Sequence, residues 1–536
     1  MKMDNLYKGL RICERYNILN AEKHITDTDI ESLLAWRNKM SVLNESQFKK
    51  MLHYNGYQEN IFSHAVSRNL NDEIKMKYNN EVKTSEWFIQ LEEIITSEPS
   101  IEMKPVNLGF VFQKFISYTN DRINSGLVFD KDEILGNEAY GLLLNSYIEK
   151  LIVVSLKTLT IELNQLKNQN ILSGTDSNHR FMCFLKKFED LDYLKNFVYK
   201  NITLYRLIIT LTNNFIKNSI EFLNRLYSDK DELSRFLEID KSEFKVDTFS
   251  MDAGDTHNRG KAVTIITLKN KLKFVYKPRN LYANIAYENL VKQINSYGKT
   301  LDLKFVKTLS YEDYGYEEFI IHEYCSNESD LQQYYTRFGQ LVSLMYVLNA
   351  TDMHMENVVA NGAYPYLIDL ETILQSPAIY AKCEESMPDN TEQSYALNKM
   401  LFDNVTRIML LRANIQLSKN STPIDLSGIN GKEQKTNYKV YQPINLTNDN
   451  LRFVSKDLII HGSNNLPSDN VNFEKYLDYV LKGFNDMNFL LLTYRNELQT
   501  NTLEKSFKNI KLRKIFRNTN QYGKILDHMH HPDILV

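Results

Sequence analysis

The sequence predicts an α+β protein that is mostly helical, and three observations predict it. Apolar residues recur at spacings of three and four from Asp29 to about Phe236, the period falls to two near position 245, and helical spacing resumes from position 472. Strands are therefore expected in one central stretch, with helices before and after it in the chain.

Residues 1–235 are expected to form a helical region. EAYGLLLNSYIEKLIVVSLKTLTIELNQL (138–166) and NITLYRLIITLTNNFIKNSIEFLNRLY (201–227) each carry an apolar stripe, and SGTDSNH (173–179) and SDKDE (228–232) mark turns between helices. From 236 to 415 the pattern is mixed. KAVTIITL (261–268), the polar pair Asn270 and Lys271, and LKFVYKP (272–278) read as a hairpin. A helix follows over 281–298, then strand-like stretches over 301–310 and 316–325 with a hinge near 323, then a helix over 330–350 with Ser329 as its N-cap. VVANGAYPYLIDLE (358–371) reads as two strands about a turn at Asn361 and Gly362. The stretch 416–460, rich in Ser, Asn, Gly and Lys over 418–436, is expected to be an exposed loop region. Helices return over 461–536, which includes the basic run KSFKNIKLRKIFRNT (505–519).

Composition narrows the function classes. The 536 residues suffice for two to four folding units, and 43% hydrophobic with 24% charged residues is ordinary globular usage. A net charge of -3 sets up no global field for nucleic acid, so no nucleic-acid partner is expected. Cys13, Cys183, Cys325 and Cys383 lie far apart without ligand spacing, which argues against a cysteine zinc site. The N-terminus has no apolar signal core, and the most apolar helical stretch, 142–163, is interrupted by Glu149, Lys150 and Lys157. No integral membrane segment and a cytoplasmic location are expected.

The chemistry is carried by TDMHMEN (351–357). Asp352 and Asn357 have the D-x-x-x-x-N spacing of a kinase catalytic loop, in which a carboxylate takes the proton of the attacking hydroxyl and an amide oxygen holds magnesium. Asp369 closes the following strand pair and is the expected main metal ligand, with Asn357 beside it. Lys277 ends a hairpin strand, where its ammonium can reach nucleotide phosphates, and Glu288 on the next helix is its expected partner. His354 sits inside the loop and is favoured as functional. GDTHNRG (254–260), with Asp255 and His257, is a weak candidate for a phosphate-covering loop because it lacks G-x-G-x-x-G. Each element alone has a bland explanation: a chance D-x-x-x-x-N pair, a turn aspartate, a solvated strand-end lysine, a structural histidine. Their order along the chain is what favours ATP and Mg2+ chemistry.

DTHNRGKAV, FVYKPR, YTRFGQL, TDMHMENVVA, LIDLETIL and RKIFRNTNQYGKIL closely resemble the dehydratase domain of class II lanthipeptide synthetases, the LanM family. The similarity runs from about 230 to the end, and the helical 1–230 stretch fits the family's N-terminal portion. The resemblance implies a lipid-kinase-like bilobal core that phosphorylates Ser and Thr of a ribosomal precursor peptide with ATP and Mg2+, then eliminates phosphate. Lys277, Asp352, His354, Asn357 and Asp369 match its phosphorylation positions, and Asp255 and His257 a loop implicated in the site. Arg513 and Thr519 match its elimination positions, with Arg517 and Tyr522 alongside. The precursor, carrying a leader segment, is the implied partner.

Two departures stand out. Family members continue past this point into a zinc-dependent cyclase, whereas this sequence ends at HPDILV, so no cyclase is expected here and a separate cyclase chain is left as a partner. Asn518 stands where many members have proline, loosening the turn before Thr519. A peptide Ser/Thr kinase without elimination, and a non-catalytic precursor-binding or scaffold remnant of a split synthetase, are the alternatives.

Overall fold

A computed structural model describes residues 5–21, 27–40, 44–251, 258–375, 404–412, 414–508, 510–513 and 519–535. The α+β expectation holds: the chain is mostly helical, with antiparallel strands in the centre. Helices fill the first part of the chain as the three-four spacing requires. The two longest are α1 (Asn137–Asn168) and α2 (Ile202–Ser228). Leu143, Tyr147, Leu151, Leu159 and Leu163 of α1 are buried, as are Tyr205, Ile208, Thr212, Phe215 and Phe222 of α2, so the two stripes face a common core. Tyr147 and Thr212 share a buried hydrogen bond of 2.7 Å across it. By length and composition alone, 138–168 is apolar enough to cross a membrane, but its stripe is spent on this core.

The central sheet has five antiparallel strands in the order β1-β2-β3-β5-β4: β1 (Val246–Ser250), β2 (Thr264–Leu268), β3 (Lys273–Lys277), β4 (Thr308–Ser310) and β5 (Gly315–Glu318). The expected hairpin is β2 and β3, with Lys271 in the turn at φ 70°. The strand-like stretches 301–310 and 316–325 yield only the short β4 and β5. Phe222 of α2 packs on Phe249 and Tyr276 at centroid distances of 5.4 and 4.8 Å, so the helical region and the sheet share one apolar core.

A second core gathers around α3 (Tyr282–Ser296), α4 (Glu328–Val347), α5 (Leu477–Thr493) and the hairpin β6 (Val358–Asn361) and β7 (Tyr364–Leu367). Helices α4 and α5 touch backbone to backbone. A Cβ on Gly339 would lie 1.9 Å from the Val480 carbonyl oxygen, and one on Gly483 would lie 1.8 Å from that of Thr336. Only glycine fits at either position. The cap of α4 is Asn327, whose side chain accepts from the Asp330 amide at 3.0 Å, so Ser329 lies inside the first turn instead.

The 416–460 stretch also departs from expectation. Besides β9 (Ile424–Asp425), which pairs with β8 (Asn414–Ile415) just before it, it contains the whole of a long ribbon, β10 (Gln434–Ile444) with β11 (Arg452–Ile460). Tyr438, Val440 and Ile444 alternate with polar residues along β10 and supply the strand preference, masked in composition by the Ser, Asn and Lys around them. The ribbon tip is fastened to the helical region by Asp449, which has no accessible side-chain surface and accepts from Ser177, from Arg180 Nε at 2.6 Å and from Lys167 Nζ at 3.4 Å.

Candidate functional site

Strand pairing sets the first cation of the site. Lys277 ends β3, and its diagonal neighbour on the same face of the sheet is Glu317 of β5, since Val275 pairs with Glu317 and Lys277 with Gly315. Lys277 Nζ lies 2.7 Å from Glu317 Oε2 and donates to the Ile368 carbonyl at 2.6 Å. Both side chains are buried, at 6% and 2% exposure, so each charge depends on the other. The second oxygen of Glu317 accepts from buried Asn284 Nδ2 at 2.6 Å. Glu288 is not the partner: it lies one turn further along α3 and takes Lys292 at 2.6 Å, while Asn284 occupies the helix position facing the sheet.

The loop after α4 is held from both sides. Thr351 N donates to the Thr372 carbonyl at 3.1 Å and Thr372 Oγ1 returns a bond to the Thr351 carbonyl at 2.5 Å. Met353 N reaches the Ile408 carbonyl and Met355 N that of Leu426, each at 2.9 Å. These bonds maintain Asp352 in the left-handed region at φ 64°, a costly place for a non-glycine residue. Asn357 Nδ2 donates to the Asp352 carbonyl at 2.8 Å, tying the two ends of the D-x-x-x-x-N segment. His354 caps the short turn Met355–Asn357, its Nδ1 accepting from the Glu356 amide at 3.3 Å.

The β6–β7 hairpin then returns Asp369 beside this loop, with Ile368 N donating to the Asn357 carbonyl at 3.1 Å. Arg279 lies just past β3 and binds Asp369 Oδ1 at 2.8 Å and Glu371 Oε2 at 3.2 Å. Glu371 Oε1 in turn takes Arg513 Nη1 at 2.5 Å, and Gln375 Nε2 donates to the Arg513 carbonyl at 2.7 Å. Residues from the sheet, the loop and the C-terminal segment thus meet in one charged cluster.

Electrostatics separates the two aspartates. Burial pushes the Asp352 carboxyl above its usual range, and the nearby negative charge of Asp369 adds to this, while His354 and Arg513 oppose it. Burial also works against the charged form of Asp369, but Arg279, Lys277, the Glu371 amide and Arg513 together hold it below the usual range. One carboxylate is thereby kept basic and the other firmly ionised, the division of labour that acid–base and ligand roles require.

Lys277, Asp352, His354, Asn357, Asp369 and Arg513 are brought together; Glu288 is not. Asp255, His257 and Arg517 lie outside the described residues, as does the side chain of Thr519, which opens the helix Thr519–Met529. Tyr522 is 46% exposed on that helix. The spacing argument missed Arg279, Asn284, Glu317 and Glu371. Arg279 and Glu371 lie two residues beyond Lys277 and Asp369, within KPR and DLE, which was the available signal.

Asn357 and Asp369 offer a donor set suited to magnesium. With Asn357 Nδ2 committed to the Asp352 carbonyl and Asp369 Oδ1 to Arg279 and the Glu371 amide, Asn357 Oδ1 and Asp369 Oδ2 have no hydrogen-bond partner among the described residues. Both are hard oxygen donors.

Comparison with known proteins agrees with the motifs. The family model described as a domain of unknown function, DUF4135, matches residues 203–536. The chain is 27% identical over 439 residues to the lacticin 481/lactococcin biosynthesis protein LcnDR2 of Lactococcus lactis subsp. lactis, across 78% of this chain and 44% of that protein. It therefore spans less than half the length of that relative. The chain belongs to the DUF4135 family, the domain associated with class II lanthipeptide synthetases of the LanM type.

Proposed function

We propose that the chain dehydrates Ser and Thr residues of a ribosomal lanthipeptide precursor, first phosphorylating the hydroxyl at the expense of ATP and then eliminating phosphate. The observation that carries this reading is the charged cluster in which the Lys277, Asp352, Asn357 and Asp369 set is joined through Glu371 to Arg513. The central sheet with α3, and the second core around α4 and α5, are read as the two lobes of a lipid-kinase-like core. The relative's role in lacticin biosynthesis supports a precursor peptide as substrate.

In the first step Asp352 accepts the proton of the substrate hydroxyl, and its raised affinity for protons makes it a better base than an exposed aspartate. Lys277, fixed by Glu317, orients the nucleotide phosphates. Asn357 and Asp369 would hold Mg2+, which supplies neutralisation of phosphate charge when bound. His354, inside the loop beside Asp352, assists in orienting the substrate. In the second step a general base of the site takes the Cα proton, the freed electron pair forms the Cα=Cβ bond as the Cβ–O bond breaks, and Arg513 holds the leaving phosphate. Thr519 is assigned to this half by resemblance, and Asp255 and His257 match a loop implicated in the site. Hydroxyl oxygen departs with phosphate, so the peptide loses one water.

Mass spectrometry of a precursor co-expressed with the chain tests the reading. A loss of about 18 Da per modified residue is expected from the elimination chemistry. A gain of about 80 Da per site marks a kinase that stops at the phosphoester. An unmodified precursor refutes the enzyme reading.

A further inference from the structure

The basic run over 505–519 enters the reading above only at Arg513 and Thr519, in its later part. Its earlier part borders a cavity of about 450 Å3, of the size that ligands and peptide side chains occupy. One wall is a face of α3 with Tyr282, Ile285 and Asn289, and the other carries Lys505, Lys508 and Ile510. Further along α3 the two walls are pinned together, where Thr502 Oγ1 bonds Gln293 and Tyr297 stacks on Tyr494 at 3.9 Å between centroids. Towards the start of α3 they part, spanned by a 3.5 Å contact from Asn289 Nδ2 to Ser506 Oγ. The result is a wedge-shaped cleft.

Its charge is one-sided. Among the described residues no carboxylate lines it, and exposed Lys505 and Lys508 form no ion pair. Of the nearby acids, Glu288 is paired with Lys292 at 2.6 Å, and Glu504, outside the lining, accepts from Gln499 at 3.4 Å. Ile285 and Ile510 add apolar wall to the same cavity as the two lysines, which suits a peptide with both carboxylates and apolar side chains better than a polyphosphate chain.

Both walls of the cleft continue along the chain into the proposed site. Asn284 of α3 holds Glu317 against Lys277, and the wall bearing Ile510 leads directly to Arg513. We propose that this cleft docks an acidic, amphipathic segment of the polypeptide substrate, with its carboxylates on Lys505 and Lys508 and its apolar side chains on Ile285 and Ile510. The identity of that occupant rests on the peptide-substrate reading above; the cleft's ligand chemistry does not.

The test uses the full chain without nucleotide and three fluorescein-labelled probes: a short Glu/Leu peptide, its Lys/Leu counterpart and a single-stranded oligonucleotide. Fluorescence anisotropy is expected to show salt-sensitive binding of the Glu/Leu peptide alone. Lys505→Glu with Lys508→Glu is expected to weaken it roughly tenfold or more, as loss and reversal of paired charges does. Asn289→Trp, which fills the mouth, is expected to weaken it without changing charge. Unchanged melting temperatures show that these surface variants fold. Absence of Glu/Leu binding to the wild type, equal binding by the charge-reversed chain, or equally tight binding of either other probe overturns the proposal. Because this assay is independent of turnover, a chain that binds the acidic peptide but leaves a precursor unmodified refutes the dehydratase reading and leaves the cleft's specificity standing.

Discussion

Glu371 holds Arg513 at 2.5 Å through one carboxylate oxygen, while its other oxygen lies 3.2 Å from Arg279. Arg279 continues to Asp369 at 2.8 Å, so an unbroken line of alternating charge runs from the proposed metal ligand to the proposed elimination arginine. Glu371→Gln keeps the shape and removes the charge. Arg513 then loses this ion pair, which helps to position it, while Lys277, Asp352 and Asn357 keep their partners. Phosphorylation is expected to persist and elimination to slow by roughly 100-fold, the scale of a misplaced group. A time course by mass spectrometry reads this as accumulation of the phosphopeptide, about 80 Da heavier per site. Dehydration at the wild-type rate rules out the positioning role.

The buried cation gives a second, sharper contrast. Glu317→Gln leaves Lys277 desolvated without its counterion, which is expected to cost about 3 kcal/mol of stability and most of the ATP turnover. Glu288→Gln removes only a surface bond to Lys292 and is expected to leave both unchanged. Denaturant titration and ADP release distinguish the two. Equal effects contradict the Lys277–Glu317 pairing as the operative one.

These contrasts mark what the sequence made legible. Asp352, Asn357 and Asp369 lie within one short span of chain, so helix-loop-hairpin grammar places them without knowledge of the tertiary fold. Glu317 could not be reached that way, because its proximity to Lys277 depends on the register of β3 with β5, strands separated by a whole helix. Arg513 entered by motif resemblance, and its position beside Glu371 is a tertiary fact. The β10–β11 ribbon was hidden because its alternating Tyr438, Val440 and Ile444 stand among polar residues that read as loop. Asn327 and Ser329 are both good capping types, and only the backbone path selects the first.

Asp352 sets the expected pH dependence. A base works in its deprotonated form, and burial raises the pKa of Asp352 from the ordinary 3.8. The rate of phosphorylation is therefore expected to fall on acidification at a higher pH than an exposed aspartate would dictate. Arg513 opposes the shift by favouring the carboxylate, so Arg513→Gln moves this acid limb further up in pH. The measurement is ADP release against pH in both forms. An acid limb that moves down in the variant contradicts the assigned electrostatics.

Asp449 ties the ribbon to the helical region through Arg180, Lys167 and Ser177. Burial acts to raise its pKa, but Arg180, Ser177 and Lys167 outweigh this and hold it below the ordinary 3.8. A depressed folded-state pKa adds stability that is fully present above the unfolded value and is lost as pH falls through the folded one. The contribution is thus intact at neutral pH and disappears only below about pH 4. Asp449→Asn is expected to cost about 1–2 kcal/mol, discounted because its cationic partners are partly solvated. Hydrogen exchange should rise across 434–460 while α4 stays protected.

The glycine contact between α4 and α5 gives the most severe expected change. Gly339 and Gly483 each face a carbonyl on the opposite helix, and the atom that alanine adds would fall within 2 Å of oxygen in both cases. No side-chain rotation relieves a clash between Cβ and backbone, so α4 and α5 must separate along their length. Each substitution is expected to cost at least about 3 kcal/mol, the upper end for overpacking. Because α4 feeds the loop bearing Asp352, separation also disturbs the bonds that keep that residue at φ 64°. Gly339→Ala and Gly483→Ala should therefore lower both the melting temperature and ADP release. Gly141→Ala on α1, where an added Cβ meets nothing within 4 Å, should leave ADP release unchanged and, by helix propensity, raise the melting temperature slightly. A soluble Gly339→Ala chain with wild-type stability means that the two helices do not pack in this register.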